Sequence, residues 1–241
     1  MNLLLLSPDE VTGGDILLPP GDRRARHLTQ VIQPQAGESL RVGVINGRMG
    51  TAQACPEPDG GWRLTPPELV NDPPRGLPLT LVMAMPRPKA FRRILQGLTA
   101  LGVKSLYLIN TYRVEKSYWQ TPWLSEASLR ENCLLGLEQA RDTRLPDIQI
   151  RKRFKPFVED ELPGLIRERG AAFVAHPHPP EHASTPPASG QGMVLAVGPE
   201  GGFIPYEVDK LLEAGCEPLS LGPRILRVET ALPTLIGKLY Y

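Results

Sequence analysis

The chain has 241 residues, 41% of them hydrophobic, and a net charge of +1 at pH 7. That apolar content excludes a disordered protein, and the length admits one large domain or two ordinary ones. A near-neutral balance excludes a uniformly basic nucleic-acid coat, so any RNA contact has to come from a local patch. Cys55, Cys133 and Cys216 are odd in number and far apart, without a CxxC pair. Neither a disulfide framework nor a zinc ribbon is expected, and a reducing cytoplasm is the natural compartment. The 27 prolines, about twice ordinary usage, lie between apolar runs and predict many short connections. Met1 to Leu6 carries four leucines before Ser7-Pro8-Asp9-Glu10, too few for a signal peptide or a membrane span.

Residues 1 to 72 read as short strands. Arg41 to Ile45 alternates, Asn46-Gly47 is a hairpin turn, Met49 to Cys55 is the returning strand, and Trp62-Arg63-Leu64 is another. Such strands predict a small barrel or sandwich. Helical spacing occurs only around Arg24 to Val31, beside a basic cluster of Arg23, Arg24, Arg26 and His27. That cluster is either a phosphate-contact patch or a solvated helix face. The polar, proline-rich stretch Asn71 to Pro78 marks the boundary, giving domains 1–72 and 73–241.

Beyond it the pattern alternates strand and helix. Leu79 to Met85 is a continuous apolar run, as in a buried parallel strand. Phe91, Ile94, Leu95, Leu98 and Leu101 recur at helical spacing and stop at Gly102. Strands are predicted at Lys104–Ile109, Asp147–Ile150, Ala171–Ala175, Met193–Val197 and Pro218–Leu221, and helices at Pro122–Ala140, around Val158–Ile166 with Pro163 interrupting, and at Glu207–Ala214. This is an α/β pattern: a mostly parallel sheet with helices on both faces. His176, His178 and His182 in HPHPPEH match no common zinc spacing, and no metal site is expected there.

Two of the predicted strands run into glycine-bearing bends, Val197-Gly198-Pro199-Glu200-Gly201-Gly202-Phe203 and Leu221-Gly222-Pro223-Arg224-Ile225-Leu226-Arg227-Val228-Glu229-Thr230-Ala231. Paired loops at strand ends are what a ligand crevice in an α/β sheet needs. GPEGG alone could also be a surface turn. It lacks the Lys-Ser/Thr of a phosphate-cradling loop, and the absence of an early GxGxxG disfavours a nicotinamide-dependent reductase. In this order and position, GPEGGF and LGPRILRVETA resemble the RsmE-type 16S ribosomal RNA uridine-N3 methyltransferases of the SPOUT superfamily.

The resemblance implies a trefoil-knotted SPOUT domain preceded by a PUA-like RNA-binding β-barrel. It also implies S-adenosyl-L-methionine as methyl donor, ribosomal RNA (16S, within the small subunit) as partner, and a homodimer. Topology rules alone would never propose the knot. On this resemblance the cofactor-binding residues are His176, Val197, Gly198, Pro199, Glu200, Gly201, Gly202, Leu221, Gly222, Ile225, Leu226, Thr230 and Ala231. Arg26-His27-Leu28 is similar to the opening of the family's barrel. Glu138-Gln139-Ala140 with Thr143 to Pro146 is similar to a family signature, and Thr111-Tyr112-Arg113 to an arginine turn. Arg23, Arg24, Arg26, His27, Arg113 and Arg144 are the implied RNA contacts. The chain departs from the pattern in three places: Gln33 replaces an arginine, Ile204 replaces a capping Ser or Thr, and Gln96 to Val103 lacks a Lys and a Glu.

Removing the uracil N3 proton spreads negative charge onto O2 and O4, which a fixed cation stabilises. Arg227 is the candidate cation and Glu229 the candidate proton acceptor. Glu229 equally suits the dipole at a helix start. The alternatives are an RNA-binding module that keeps the fold without turnover, and a methyltransferase for another RNA.

Overall fold

A computed structural model describes residues 2–176 and 190–241. The chain divides into two compact units, Met1–Arg75 with Leu134–Leu145, and Gly76–Cys133 with Pro146–Tyr241. The first unit thus takes in a later return of the chain, which a boundary at 72/73 does not include.

In the first unit, β1 (Leu4–Leu6), β2 (Ile16–Leu18), α1 (Arg23–His27), β3 (Glu38–Val44), β4 (Met49–Pro56), β5 (Trp62–Leu64) and β6 (Glu68–Asn71) follow in order. The strands form one curled sheet, ordered β1-β3-β4-β5-β2, with β6 on β4. Only β1 on β3 is parallel. Alternation in β4 turns Gly50, Ala52 and Ala54 inward. There Leu4, Leu6, Leu18, Leu28, Val42 and Leu64 form the core. Each such aliphatic side chain stabilises the fold by about 1.5–3 kcal/mol. Helix α1 continues through a π turn and stops at Gln33, whose backbone is left-handed at φ 50.

The basic cluster beside α1 is largely spent inside this unit. Arg24 donates to Glu10 at 2.6 and 2.9 Å, to Asp22 at 2.7 Å and to the Leu5 carbonyl at 3.0 Å. Arg23 clasps the buried Glu138 carboxylate at 2.5 and 2.9 Å. The return segment is stitched to the Asn46-Gly47 turn: Asn46 N–H donates to the Thr143 carbonyl, Thr143 Oγ1 to the Gly47 carbonyl, and Leu145 N–H to Asn46 Oδ1. Leu137 packs with Leu3, Leu5 and Ile45.

The second unit runs β7 (Leu79–Ala84), α2 (Pro88–Ala100), β8 (Ser105–Ile109), α3 (Glu126–Ala140), β9 (Asp147–Arg151), α4 (Phe154–Pro156), α5 (Leu162–Arg169), β10 (Ala172–Ala175), β11 (Met193–Val197), α6 (Pro205–Glu213), β12 (Glu217–Leu219) and α7 (Val228–Tyr240). The part of α3 from Leu134 onward belongs to the first unit. The expected helix from Pro122 is broken: a 3-10 turn covers Pro122–Leu124, and Ser125 is extended before α3 begins. The six strands are all parallel, ordered β12-β10-β11-β7-β8-β9. Strands β7 and β11 are buried throughout, which explains why their sequences are uninterruptedly apolar. Phe91, Leu95 and Leu98 of α2 are buried, the face that the helical spacing picks out.

Burial pushes the Glu10 and Asp22 carboxyls up, but hydrogen bonds from the Arg24 side chain and from backbone amides outweigh it, leaving both below their ordinary values. A carboxyl depressed by folding adds stability above its unfolded pKa and loses it as pH falls through its folded pKa. The wild-type chain should therefore melt progressively lower as pH drops below about 4.5. Arg24→Met should cost about 2 kcal/mol near neutrality and flatten that acid slope. Circular-dichroism melts from pH 7 to 3 check this; parallel slopes for the two proteins would refute the pairing.

Candidate active site

A cavity of about 390 Å³ opens at the carboxyl ends of the parallel strands. Strands β11 and β12 both neighbour β10, so the loops that follow them converge although the two loops lie about twenty residues apart in sequence. The strand ends Ala175, Val197 and Leu219 line the cavity. Gly198 to Phe203 forms one side, and Leu221, Gly222, Arg224, Ile225 and Leu226 another. Val228, Ala231 and Leu235, one face of α7, close it.

Each wall is fixed by backbone bonds. Gly202 N–H donates to the Pro199 carbonyl at 2.7 Å, and His176 N–H to the Leu219 carbonyl at 3.1 Å. Gly222 has φ +103, a backbone that favours glycine, and its N–H donates to Ser220 Oγ at 3.1 Å. Arg113 donates to the Gly201 carbonyl. A Cβ on Gly201 would lie 3.0 Å from Arg113 Cδ, so a larger residue there would crowd the arginine stem. Glu200 accepts from the Arg87 N–H at 2.9 Å, tying this loop to the start of α2.

Glu207 is the central tie. Its carboxylate is buried, with the residue 3% exposed. One oxygen accepts from the Tyr112 N–H at 2.7 Å and the other from the Ile204 N–H at 3.0 Å. The side-chain cap is absent at Ile204, as its sequence predicts; the Glu207 N–H donates to the Ile204 carbonyl at 2.9 Å, and the Glu207 carboxylate reaches back to the Ile204 amide.

His176, Val197, Gly198, Pro199, Glu200, Gly201, Gly202, Leu221, Gly222, Ile225, Leu226 and Ala231 all line the cavity. Thr230 does not; its carbonyl accepts from Thr234 Oγ1 at 2.8 Å. Arg227 and Glu229 also stand outside the lining, 3.9 Å apart, with side chains 85% and 47% exposed. Arg113, expected at an RNA face or the active site, is part of the cavity wall. Arg23 and Arg24 are held in ion pairs, whereas Arg26 and Arg144 are exposed and His27 is half-buried. Reading single motifs missed Ala175, Phe203, Leu219, Arg224, Val228 and Leu235. The spacing of Val228, Ala231 and Leu235 is a helical i, i+3, i+7 stripe that could have exposed two of them. No group of three His, Cys, Asp or Glu is placed to hold a metal among the described residues. His178 and His182 lie outside the described residues.

Glu207→Gln keeps the shape but replaces one acceptor oxygen with a donor. The Tyr112 and Ile204 amides should then exchange with solvent roughly ten- to a hundredfold faster, the loss of one charge-assisted bond. Hydrogen-exchange mass spectrometry reads this directly, and unaltered protection of both amides would contradict the tie.

Residues 73–239 match the family model described as RNA methyltransferase domain. The chain is 28% identical over 232 residues to the ribosomal RNA small subunit methyltransferase E of Treponema pallidum, covering 96% of this chain and 87% of the relative. It is 25% identical over 231 residues to ribosomal RNA small subunit methyltransferase E 1 of Borreliella burgdorferi, covering 96% and 94%. In fold it is similar to a ribosomal RNA small subunit methyltransferase E from Neisseria gonorrhoeae bound to S-adenosyl methionine, with a TM-score of 0.73 at 20% identity, covering 98% and 95% of the two chains. Because the family model spans most of the sequence and all of the cavity, the chain belongs to the RNA methyltransferase family.

Proposed function

We propose that this chain uses S-adenosylmethionine to methylate N3 of a uridine in 16S ribosomal RNA. The observation that carries this reading is the cavity itself. Two glycine loops bound it, apolar side chains wall it, and an exposed arginine stands at the adjoining helix start, all within an RNA methyltransferase family member. On the same reading the first unit is a PUA-like RNA-binding barrel and the second a knotted SPOUT domain. The working form is a cytoplasmic homodimer acting on the small ribosomal subunit. No helix among the described residues is long and apolar enough to cross a membrane.

The cavity fits the proposed donor. Its volume lies in the range of about 300–1,000 Å³ usual for small-molecule sites. Backbone groups of Gly198 to Gly202 offer an adenine edge donors and acceptors without a fixed charge. Leu221, Ile225 and Leu226 offer apolar surface to its ring faces, while Arg113 and Arg224 suit a carboxylate. When bound, the donor supplies a sulfonium methyl for in-line displacement.

The rest of the chemistry falls to protein side chains. Loss of the N3 proton leaves negative charge on the uracil oxygens, and Arg227 is placed to stabilise it. Glu229 accepts the proton, directly or through water. Both are too exposed to act strongly in bulk water. RNA covering the rim would exclude that water and strengthen their fields.

Incubation with methyl-labelled donor and small ribosomal subunits, followed by nucleoside mass spectrometry, should yield 3-methyluridine. Donor uptake by calorimetry with no transfer to any RNA would instead establish the binding module without turnover. Arg227→Ala should lower kcat/KM on RNA by roughly 100- to 1,000-fold while leaving donor affinity in place. Glu229→Gln should change the acidic limb of the pH–rate profile, and an identical profile would remove it as the proton acceptor.

A further inference from the structure

Large apolar side chains exposed on the second unit are few among the described residues: Tyr112, Tyr206, Ile225 and Tyr241. Two of them, Ile225 and Tyr112, lie in or beside the cavity wall, and Tyr206 is tied to the second through Glu207. Ile225, 77% exposed, lines it directly. Tyr112, 80% exposed, immediately precedes Arg113 of the wall. Tyr206, 48% exposed, immediately precedes Glu207, whose carboxylate holds the Tyr112 amide at 2.7 Å. One buried carboxylate therefore joins the two backbones that carry the tyrosines.

An exposed tyrosine on a mobile loop would lose much of its ordering entropy on binding anything. Here the backbone beneath Tyr112 is already fixed, by its own amide and by the Arg113 bond to Gly201. The surroundings are cationic: Arg113 and Arg224 line the cavity, and Arg227 stands out into solvent. A flat, exposed ring next in sequence to an arginine of the cavity wall suits a nucleobase stacked on a π-face with its phosphate held nearby. A second copy fits less well. In a two-fold interface the patch meets a copy of itself, which would set one group of cations against another of the same sign.

Chemistry on a base requires that the base leave its stack, and the lost stacking has to be replaced. We infer that Tyr112, with Tyr206 beside the same tie, is a stacking platform that receives a base of the RNA substrate at the cavity rim. This rests on the function proposed above and adds to it a residue that selects unstacked RNA.

The test uses the full chain, fluorescently labelled single-stranded RNA spanning the methylated site, and anisotropy titration alongside methyl transfer. Tyr112→Ala should weaken RNA binding and raise the KM for RNA by roughly ten- to a hundredfold. Donor affinity and melting temperature should stay at wild-type values, because the ring is exposed. Tyr112→Phe should restore binding, since the π-face and not the hydroxyl carries it. Salt sensitivity should be unchanged in Tyr112→Ala but reduced in Arg224→Ala, which removes a charge. Wild-type binding by Tyr112→Ala overturns the inference, as does failure of Phe to rescue. A shift in oligomeric state of Tyr112→Ala by ultracentrifugation also overturns it, assigning the ring to a contact between copies. RNA binding needs no turnover, so absence of methyl transfer by the wild type would defeat the proposed reaction while the anisotropy series still decides the platform.

Discussion

A buried carboxylate has to be met where it sits, because an ionised group removed from water costs several kcal/mol unless hydrogen-bonded. Glu207 is met by two backbone amides, Tyr112 and Ile204, and by the positive end of α6. The residue thereby fixes two segments far apart in sequence. Ile204 follows the loop after β11, and Tyr112 lies in the loop after β8. Arg113, the next residue, then reaches the Gly201 carbonyl. The position of the GPEGG loop thus depends on this charge as much as on its own glycines. An alanine at position 207 would leave both amides unpaired and the loop held by fewer bonds.

The charge balance of the whole chain fits a local rather than a global attraction for RNA. Its 27 lysines and arginines are matched almost one for one by 26 carboxylates. In the first unit Arg23, Arg24 and Arg63 are spent on Glu138, Glu10, Asp22, Asp15 and Glu57. In the second, Arg151 is spent on Glu161. Internal pairing of this kind removes part of the positive charge from the surface and leaves other cations in solvent-facing places. The Arg224–Arg227 stretch is one of them. A net charge of +1 is therefore no argument against a polyanionic substrate, provided solvent-facing cations stand where the substrate lies.

Much of this was legible in the sequence, for identifiable reasons. Strands β7 and β11 could be read because burial on both faces leaves no polar position in them. Helix α2 could be read because its apolar residues keep one face. The two glycine loops were legible because tight bends demand particular residues. Strands β1, β2 and β6 were not; each is three or four residues long, too short for a period to register, and none carries an aromatic such as the Trp62 that marked the equally short β5. The return of residues 134–145 to the first unit was hidden for a different reason. It depends on Glu138 meeting Arg23 and Thr143 meeting the Gly47 turn, pairings more than ninety residues apart. The same applies to Arg113. The resemblance pointed to a role at the RNA face or active site, and only the fold brings the Gly201 carbonyl within its reach.

The separation of cavity and rim bears on how the reaction would be controlled. Among the described residues the cavity is lined mainly by glycine and apolar side chains, with His176, Arg113 and Arg224, and its one carboxylate, Glu200, already accepts from the Arg87 N–H. Arg227 and Glu229 lie outside it in water, 3.9 Å from one another and loosely paired. In that state each partly cancels the other, and solvent screens what is left. A uracil inserted at the rim would divide the pair, giving Arg227 a carbonyl oxygen to face and Glu229 a proton to accept. Charges held apart from the donor pocket until the substrate unites them would make the chemical step depend on RNA, even with the donor already in place. That arrangement asks for discrimination at the rim rather than in the cavity, which is the role inferred for Tyr112, the neighbour of Arg113 in the cavity wall.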